Sequence, residues 1–394
     1  MIDQSFLHWP FFTEEHRKLS KKLGAWVDTN ISPNDEKNEY QAAKAYVSLL
    51  GKEGWLKYVV PSLFGGAFDQ LDVRSICLIR ETLARTSGLA DVAFAMQGLG
   101  SYPISAFGSK SLKEKYLPRV ASGAAIAAFA ISEEGAGSDI SALSTSGKKE
   151  GANYIVNGSK AWISNAGIAD FYLVFCRTEK EPGAKGLTAF VVDANSEGLE
   201  VTEKIELLAP HPIGTLRFRN VKIPTTQMVG SPGEGFKVAL ETLDLFRCTV
   251  GAAALGFARS AMEQAVNRSM ERKAYGHPLS DFQLTQQKIA DMAVKIDASA
   301  LLVYRAAWEK DEGKERITRE AAMAKMYATE KAQQVIDSAV QIFGALGLVS
   351  GHSLEKLYRE IRLLRIYEGT TEIQKLIIAK EVFKHCSSPS GGVR

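Results

Sequence analysis

Several patterns that assign a function quickly are missing from this chain. It has only four cysteines and six histidines, and neither type shows a CxxC pair or metal-ligand spacing. Scattered single cysteines argue against a disulfide framework and fit a reducing compartment, so we expect a cytoplasmic protein without a metal site. No GxGxxG turn follows a predicted strand, which argues against a Rossmann dinucleotide domain.

Charge and hydropathy exclude further classes. A net charge of +3 is too small to indicate a nucleic-acid surface. No apolar run reaches the roughly 20 residues that a membrane span needs, so we expect none. The first ten residues show no basic segment followed by an apolar one, and we expect no secretory signal there.

The character of the sequence changes twice along its 394 residues. Residues 1–120 have helical spacing of apolar side chains, and residues 121–235 contain short β-type runs between loops rich in Gly, Ser and Pro. Residues 236–394 return to long helices, which we expect over 236–272, 281–313, 318–343 and 354–367. The predicted fold class is α+β: an N-terminal helical domain, a middle β-barrel or sandwich domain and a C-terminal four-helix bundle.

Turn dipeptides suggest how the middle domain folds. Glu150-Gly151 and Asn157-Gly158 each combine a polar residue with a glycine. Such pairs favour the tight turns of β-hairpins, so both are predicted to be hairpin turns.

A helix break near the C-terminus places one carboxylate in an unusual position. Residues 359–366 form a basic and apolar helical run, Gly369 interrupts it, and Thr370 is a favoured N-cap for a final helix over 372–383. Glu368 lies at this break. If the break faces an apolar pocket, the pKa of Glu368 rises, and the carboxylate can then remove a weakly acidic C–H proton. The alternative is a surface glutamate near a helix end.

Other motifs carry groups that suit a flat ring or a phosphate. Residues 131–139 leave a predicted strand with hydroxyls, backbone N–H groups and small residues, although Gly and Ser clusters also mark ordinary turns. Trp162 and Ser164 lie at a strand end, where a tryptophan more often belongs to the core. Arg272 ends a long helix and either suits the helix dipole or clamps a pyrophosphate. The segment 341–347 ends another helix, where a glycine C-cap is the alternative.

In their order and spacing, these motifs resemble the acyl-CoA dehydrogenase family over about residues 13–384. The motifs are AISEEGAGSD at 130–139, WISN at 162–165, ERKAYG at 271–276, QIFG at 341–344 and YEGT at 367–370. The resemblance implies FAD bound between the β domain and the C-terminal bundle, an acyl-CoA substrate and an electron-transfer flavoprotein as acceptor. It also implies a homotetramer, because FAD is shared between subunits.

The same resemblance implies roles for individual residues. Its cofactor-binding positions are Ile131, Ser132, Ser138, Trp162, Ser164, Arg272, Gln283, Gln341, Gly344, Thr370 and Glu372. Its substrate-binding positions are Ser138, Asp244, Arg247, Tyr367 and Gly369. Glu368 is expected to take the α-proton of the thioester while the β-hydrogen leaves as hydride to flavin N5. The family stabilises the enolate oxygen with a flavin ribityl hydroxyl and the backbone N–H of this glutamate.

The chain departs from the family's pattern at three places. A Pro-His-Pro-Ile segment at 210–213 replaces the usual Ser-Asp-Thr-Arg before the last strand, which leaves the choice of substrate open. Ala345 stands where a second glycine is common. Phe246 occupies the position of the base in the isovaleryl-type branch, so Glu368 is the candidate base.

Asp91 is a second candidate acid–base residue. By alignment it lies on a helix that lines the acyl pocket, among apolar neighbours. A carboxylate there is costly, so we expect it to be paired, hydrogen-bonded or raised in pKa. One interpretation makes it the N-cap of the helix. The other makes it a base for a ring carbon of an alicyclic substrate, such as cyclohex-1-ene-1-carboxyl-CoA or cyclohexanecarboxyl-CoA.

Other functions are open at this point. A dehydrogenase of short or medium linear acyl-CoA, or of a carrier-protein thioester, has the same motifs. A non-catalytic, flavin-binding assembly subunit has the same fold, although the retained Glu368 argues against it.

Overall fold

The computed structural model describes residues 4–32, 38–179, 181 and 183–387. Its helices are α1 (Glu14–Asn30), α2 (Glu39–Lys52), α3 (Val73–Thr86), α4 (Gly88–Phe107), α5 (Lys110–Ala121), α6 (Gly235–Glu271), α7 (Gln283–Asp311), α8 (Thr318–Phe343), α9 (Ser353–Leu364) and α10 (Thr371–Ser387). Its strands are β1 (Ala127–Ala130), β2 (Ser146–Glu150), β3 (Asn153–Ser164), β4 (Phe171–Arg177), β5 (Leu187–Asp193), β6 (Leu199–Lys204), β7 (Ile213–Pro224), β8 (Met228–Val229), β9 (Lys273–Ala274) and β10 (His277–Pro278). Within the described ranges, no helix is long and apolar enough to cross a membrane. The first three residues of the predicted signal-free N-terminus lie outside the described part.

The chain forms two compact units that interleave in sequence. The first, which we call the helical unit, contains Met1–Asn30, Val73–Thr86 and Asp244–Arg394. The second, which we call the sheet unit, contains Ile31–Asp72 and Ser87–Leu243. Segments from the N-terminal 120 residues therefore belong to both units, and the domain boundaries near residues 120 and 235 stay predictions.

In the helical unit, α8 packs against α7, α9 and α10, and α3 packs against α1 and α7. Small residues allow some helices to approach closely. A Cβ atom on Gly256 of α6 would lie 2.2 Å from the backbone oxygen of Glu81 on α3, so only glycine fits at this crossing. The result is the helical C-terminal region that the apolar stripes predicted.

The sheet unit is built on an eight-stranded sheet in the order β6-β7-β3-β2-β4-β5-β8, with β1 pairing in parallel with β4. The long strands β3 and β7 pair antiparallel, with irregularities between Val156 and Gly158 and between Lys160 and Ile163. Together with the flanking helices, this sheet confirms the predicted α+β fold class.

One predicted hairpin turn is wrong and the other is confirmed. Glu150 ends β2, Gly151 and Ala152 connect it to β3, and Gly151 has the positive φ of 60° that such a turn needs. Asn157 and Gly158 instead lie inside β3, at its first irregularity. A Cβ on Gly158 would lie 2.6 Å from the Thr145 hydroxyl oxygen, so the glycine serves a close approach within the sheet.

Predicted and observed helices agree closely in the C-terminal region. The prediction over 318–343 matches α8, while α6 and α7 differ from their predictions by one or two residues at each end. The run predicted over 354–367 ends early, at Leu364. Two left-handed residues, Glu368 and Gly369, follow before α10 begins at Thr371, and this backbone conformation cannot continue a helix.

Candidate functional site

The turn that carries Glu368 has an unusual backbone. Glu368 has φ 53° and Gly369 has φ 93°, so two successive residues lie in the left-handed region. For a glutamate this conformation costs on the order of 1–3 kcal/mol and persists only where the surroundings hold it. The side chain of Glu368 is half-buried. The turn therefore fixes the carboxylate at a defined place between α9 and α10.

Three side chains hold this turn through its carbonyl groups. Arg247 Nε donates to the backbone oxygen of Glu368 at 3.3 Å, and Lys325 Nζ donates to that of Gly369 at 2.8 Å. Gln374 Nε2 donates to both oxygens, at 3.3 and 2.9 Å. Since α6, α8 and α10 each supply one of these donors, the left-handed pair is fixed from three sides within the helical unit.

The cations at this turn are buried beside carboxylates. Burial lowers the pKa of Arg247, against the opposing effect of the Asp244 and Glu368 carboxylates. Burial also lowers the pKa of Lys325, to about 7, and the charge of Glu368 is the largest effect that opposes it. Glu368 is therefore an electrostatic partner of both cations.

Asp244 acts as a support for Arg247. It is buried, and its carboxylate accepts from Arg247 Nη1 at 3.2 Å and from Arg316 Nη2 at 3.2 Å. The hydroxyl of Thr318 donates to it as well. This network fixes the arginine that holds the Glu368 carbonyl, whereas a direct role of Asp244 in substrate binding stays a prediction.

The start of α10 follows the predicted capping pattern. The hydroxyl of Thr370 accepts from the backbone N–H of Ile373 at 3.4 Å, and the helix begins at Thr371. Glu372 lies exposed in the first turn. Its pKa is lowered by a backbone hydrogen bond and by Thr370, as expected for an acid at a helix N-terminus.

A buried ion pair holds the loop after β1 in the sheet unit. Lys160 Nζ lies 2.8 Å from Glu133 Oε1, and both side chains are almost fully buried. The same amino group donates to the backbone oxygen of Ile131 at 2.9 Å, and Glu133 also accepts from Ser144 and Thr145. Burial opposes ionisation of Glu133, but the Lys160 charge and these hydrogen bonds lower the pKa of Glu133 to about 2. The pair thereby fixes the segment from Ile131 onward against β3.

Trp162 is not a core residue. It has φ 60°, at the second irregularity of β3, and 54% of its surface is exposed. Its neighbours Ala161 and Ile163 are both buried. The backbone of Ala161 donates to the oxygen of Ser132 at 3.0 Å, which brings the two motifs 130–139 and 162–165 side by side. An indole is thus presented at the surface of the sheet unit, next to a loop that carries hydroxyls.

The Pro-His-Pro segment contacts the second of these motifs directly. His211 Nε2 lies 2.7 Å from the hydroxyl oxygen of Ser164, and the backbone oxygen of Pro212 accepts from the N–H of Asn165 at 2.8 Å. His211 is buried, and burial lowers its pKa to about 4. At neutral pH the imidazole is therefore neutral.

The remaining predicted cofactor residues lie on the surface. Ser138 is exposed in the loop after β1. Arg272 and Gln283 are exposed on either side of the β9–β10 hairpin, and Gln341 is exposed near the end of α8. Gln341 lies 16 residues beyond Lys325, about 24 Å along the helix axis. The structure therefore groups Glu368 with Asp244, Arg247 and Thr370, and does not bring Gln341 to that turn. Gly344, with φ 63°, follows α8 directly.

Asp91 is not the N-cap of its helix. The cap of α4 is Ser87, whose hydroxyl accepts from the N–H of Ala90 at 2.9 Å. Asp91 lies in the first turn instead and is only 1% exposed. The carboxylate is thus placed inside the sheet unit, and the capping interpretation is wrong.

The roles of Lys325 and Lys160 at these sites were not predicted from the sequence, although the sequence contains a signal for each. Lys325 shares the buried stripe of α8 with Ala321, Ala328 and Ala332, at helical spacing. Lys160 interrupts a β-type run and is fully buried. A lysine at a core position of a periodic pattern indicates a buried partner, and both lysines have one.

Comparison with known proteins agrees with this architecture. Residues 13–124, 128–221 and 233–383 match the N-terminal, middle and C-terminal domain models of acyl-CoA dehydrogenase. The chain is 36% identical to a 3-(aryl)acrylate reductase of Clostridium sporogenes over 95% of its own length and 100% of that protein. It is also 36% identical to a cyclohexane-1-carbonyl-CoA dehydrogenase of Geobacter metallireducens, covering 86% of this chain and 90% of the relative.

A solved relative has the same fold. The structure of butyryl-CoA dehydrogenase from Megasphaera elsdenii superimposes with a TM-score of 0.90 at 33% identity, over 94% of this chain and 99% of that one. All three domain models are matched in order along the chain. The protein therefore belongs to the acyl-CoA dehydrogenase family, whose members are FAD-dependent oxidoreductases acting on acyl-CoA thioesters.

Proposed function

We propose that this protein catalyses the α,β-dehydrogenation of an acyl-CoA thioester, with Glu368 as the base that removes the α-proton. The observation that supports this role most is the left-handed turn at Glu368 and Gly369, held by Arg247, Lys325 and Gln374. A strained backbone that several side chains fix is typical of a functional site. A surface glutamate near a helix end needs no such support.

The chemistry explains why the carboxylate must be fixed. The α-proton of a thioester is only weakly acidic, so its removal requires a base within hydrogen-bond reach and in the right orientation. Glu368 is half-buried, and its backbone oxygen is anchored by Arg247. The anchored turn restricts where the carboxylate can lie, and the neighbouring cations favour the ionised form that accepts a proton.

The sheet unit offers groups that fit FAD. The exposed indole of Trp162 provides an apolar face, and the hydroxyls of Ser132 and Ser164 provide polar contacts beside it. The buried pair of Lys160 and Glu133 holds these groups in place. We assign these residues to hold the flavin ring, together with the other cofactor positions implied by the family. When bound, FAD supplies the acceptor for the β-hydrogen, which leaves as hydride.

For the acyl group, we propose a compact alicyclic thioester such as cyclohexanecarboxyl-CoA or cyclohex-1-ene-1-carboxyl-CoA. Asp91 is 1% exposed on a helix of largely apolar residues, so a titratable carboxylate lies inside the sheet unit. A second acid–base group near an acyl chain suits proton removal from a ring carbon remote from the thioester. The likeness to the cyclohexane-1-carbonyl-CoA dehydrogenase supports this choice.

A substrate panel tests the proposal. The purified protein is assayed with an artificial electron acceptor on the two alicyclic thioesters, on butyryl-CoA and on octanoyl-CoA. We expect the highest kcat/KM for an alicyclic thioester, and a loss of about a hundredfold in Asp91→Asn on that substrate only. Asp337→Asn, at an exposed position of α8, is the control.

Other results of this panel lead to other functions. A preference for linear thioesters that Asp91→Asn leaves unchanged contradicts the alicyclic assignment and favours a short- or medium-chain dehydrogenase. Activity on a carrier-protein thioester alone favours that branch. A colourless protein that turns over none of the thioesters favours a non-catalytic assembly subunit.

The reverse reaction is the second candidate. The likeness to a 3-(aryl)acrylate reductase favours it, because a carboxylate that removes an α-proton in one direction returns it in the other. Assaying an α,β-unsaturated thioester with a reduced dye distinguishes the two directions. A reduction rate far above the oxidation rate at equal substrate concentration assigns the protein as a reductase.

We also propose a homotetramer that passes electrons to an electron-transfer flavoprotein. Helix α7 exposes large apolar side chains, among them Leu284 (71%), Val294 (68%) and Leu301 (48%), which is typical of a surface that another subunit covers. Arg272 and Gln283 are exposed, so they are free to reach a cofactor on a neighbouring subunit. Light scattering tests the assembly, and reduction of an electron-transfer flavoprotein by substrate tests the acceptor.

A further inference from the structure

Lys325 is a fully buried lysine. It has no solvent exposure, and it lies on the buried stripe of α8 together with Ala321, Ala328 and Ala332. Placing an ammonium group in a protein interior is unfavourable unless hydrogen bonds and opposite charges compensate it. A methionine of similar length would fill this space without that cost, so the amino group itself requires an explanation.

The contact of the amino group points to the candidate base. Lys325 Nζ donates to the backbone oxygen of Gly369 at 2.8 Å. Gly369 and Glu368 are the two left-handed residues of the turn. Since the peptide after Gly369 is fixed by Lys325 and the one before it by Arg247, the two cations hold both sides of the glycine that follows Glu368.

Charged groups face Lys325 from each element at the turn. Its electrostatic partners are the carboxylates of Glu368, Glu330 and Glu372 and the guanidinium of Arg247. Glu330 is already hydrogen-bonded to Arg365 and Thr371, and Glu372 is exposed. Glu368 has the largest of the favourable effects on Lys325. Because such an interaction is mutual, a protonated Lys325 stabilises the ionised form of Glu368 to the same extent.

We propose that Lys325 is a positioning residue for Glu368: it holds the turn that carries the carboxylate, and its positive charge keeps the carboxylate ionised. This inference rests on the proposed role of Glu368 as the base. It extends that role by naming the group that prepares the base before substrate arrives.

Proton removal can be measured separately from hydride loss. An acyl-CoA analogue with sulfur in place of the β-carbon has no β-hydrogen to lose, but it keeps its α-protons. Exchange of these protons for deuterium in D2O, followed by mass spectrometry, reports the base alone. The holoenzyme is assayed from about pH 5 to pH 9, which covers the range in which a tuned carboxylate titrates.

Two substitutions separate the two parts of the role. Lys325→Gln keeps a donor for the Gly369 oxygen but removes the charge, whereas Lys325→Met removes both. Without the positive charge, ionisation of Glu368 becomes less favourable, so the midpoint of exchange should rise by about one pH unit or more in both variants. Only Lys325→Met should also lower the rate at high pH, by about tenfold, because the turn loses a support.

Controls distinguish an error in the proposed base, Glu368, from an error in the inference about Lys325. Lys331→Gln changes a lysine of the same helix whose amino group bonds to Gln334 at a more exposed position, and it should leave midpoint and rate unchanged. If Glu368→Gln still exchanges at the unmodified rate, the proposed base is wrong. If Glu368→Gln abolishes exchange while both Lys325 variants keep the unmodified midpoint and rate, only the inference about Lys325 is overturned. Circular dichroism of each variant checks that it folds. If Lys325→Met does not fold, Lys325→Gln still tests the effect of the charge.

Discussion

The hydroxyl of Ser164 and Nε2 of His211 lie 2.7 Å apart. Ser164 belongs to the WISN motif, whereas His211 belongs to the segment in which this chain departs from its family. The segment that departs from the family therefore supplies a hydrogen-bond partner to a predicted flavin contact. Since His211 is buried and neutral, its effect on folding should depend on pH in a definite direction.

Acid should destabilise the protein through His211. Burial lowers the pKa of His211 in the folded protein to about 4, below the ordinary histidine value of 6.5. Between these values the unfolded chain binds a proton that the folded protein does not, so stability is lost as the pH falls through this window. The loss should approach about 3 kcal/mol at its acid end. Urea unfolding at about pH 7 and about pH 4.5 measures it.

Two variants test whether His211 causes the loss of stability in acid. His211→Asn removes the buried imidazole and should reduce the fall in urea midpoint between the two pH values. His277→Asn, at a largely exposed histidine, should leave the fall unchanged. An equal fall in His211→Asn and in the unmodified protein would show that His211 is not responsible.

Removing one partner of the Lys160–Glu133 pair should be more harmful than removing both. Lys160→Met leaves a buried carboxylate without its cation, which costs about 3–5 kcal/mol of unfolding free energy. The double variant Lys160→Met with Glu133→Gln should recover much of this loss. Lys148→Met, at an exposed lysine of β2, is the control. Chemical denaturation measures all four proteins, and a Lys160→Met variant as stable as its parent contradicts the account.

Gly369→Ala should impair activity through the backbone of the turn. An alanine at φ 93° is strained by about 1–3 kcal/mol, and its Cβ would lie 2.6 Å from Gln374 Nε2. Gln374 must then move and give up its bonds to the turn. We expect kcat to fall about tenfold or more, with a smaller change in KM.

Gly24→Ala is a matched control for this substitution. Gly24 lies within α1, and an added Cβ would meet no atom within 4 Å. Alanine favours a helix over glycine, so this variant should gain up to about 1 kcal/mol of stability and keep its activity. Unchanged kcat in Gly369→Ala would show that the geometry of the turn does not matter for the reaction.

Local sequence signals predicted the fold where they coincided with the packing. The stripe over 318–343 gave the bounds of α8, and Gly369 with Thr370 marked the break before α10. The side chains of β2 and β6 are mostly exposed, so these strands lack the apolar alternation from which a half-buried strand can be predicted. Asn157-Gly158 was predicted wrongly for a similar reason. The same type of dipeptide can form a hairpin turn or allow a close approach inside a strand, and the local sequence does not distinguish the two.

The candidate site was only partly predictable for a different reason. Glu368 and Trp162 belong to motifs that can be recognised from the sequence alone. The supports of these residues, Lys325 and the pair of Lys160 with Glu133, depend on contacts between distant segments. A charged residue is ordinarily a surface residue, and only its partner explains its burial. The grouping of α1 and α3 with the C-terminal helices is likewise a matter of tertiary packing.

The role of Glu368 as base is tested most directly by reduction of the flavin. The FAD-loaded enzyme is mixed without oxygen with the acyl-CoA that it oxidises best, and the loss of flavin absorbance is followed by stopped flow. Glu368→Gln keeps the size of the side chain but cannot accept the proton, so the rate should fall by about a thousandfold. Reduction in Glu368→Gln at the rate of the unmodified enzyme would contradict the account.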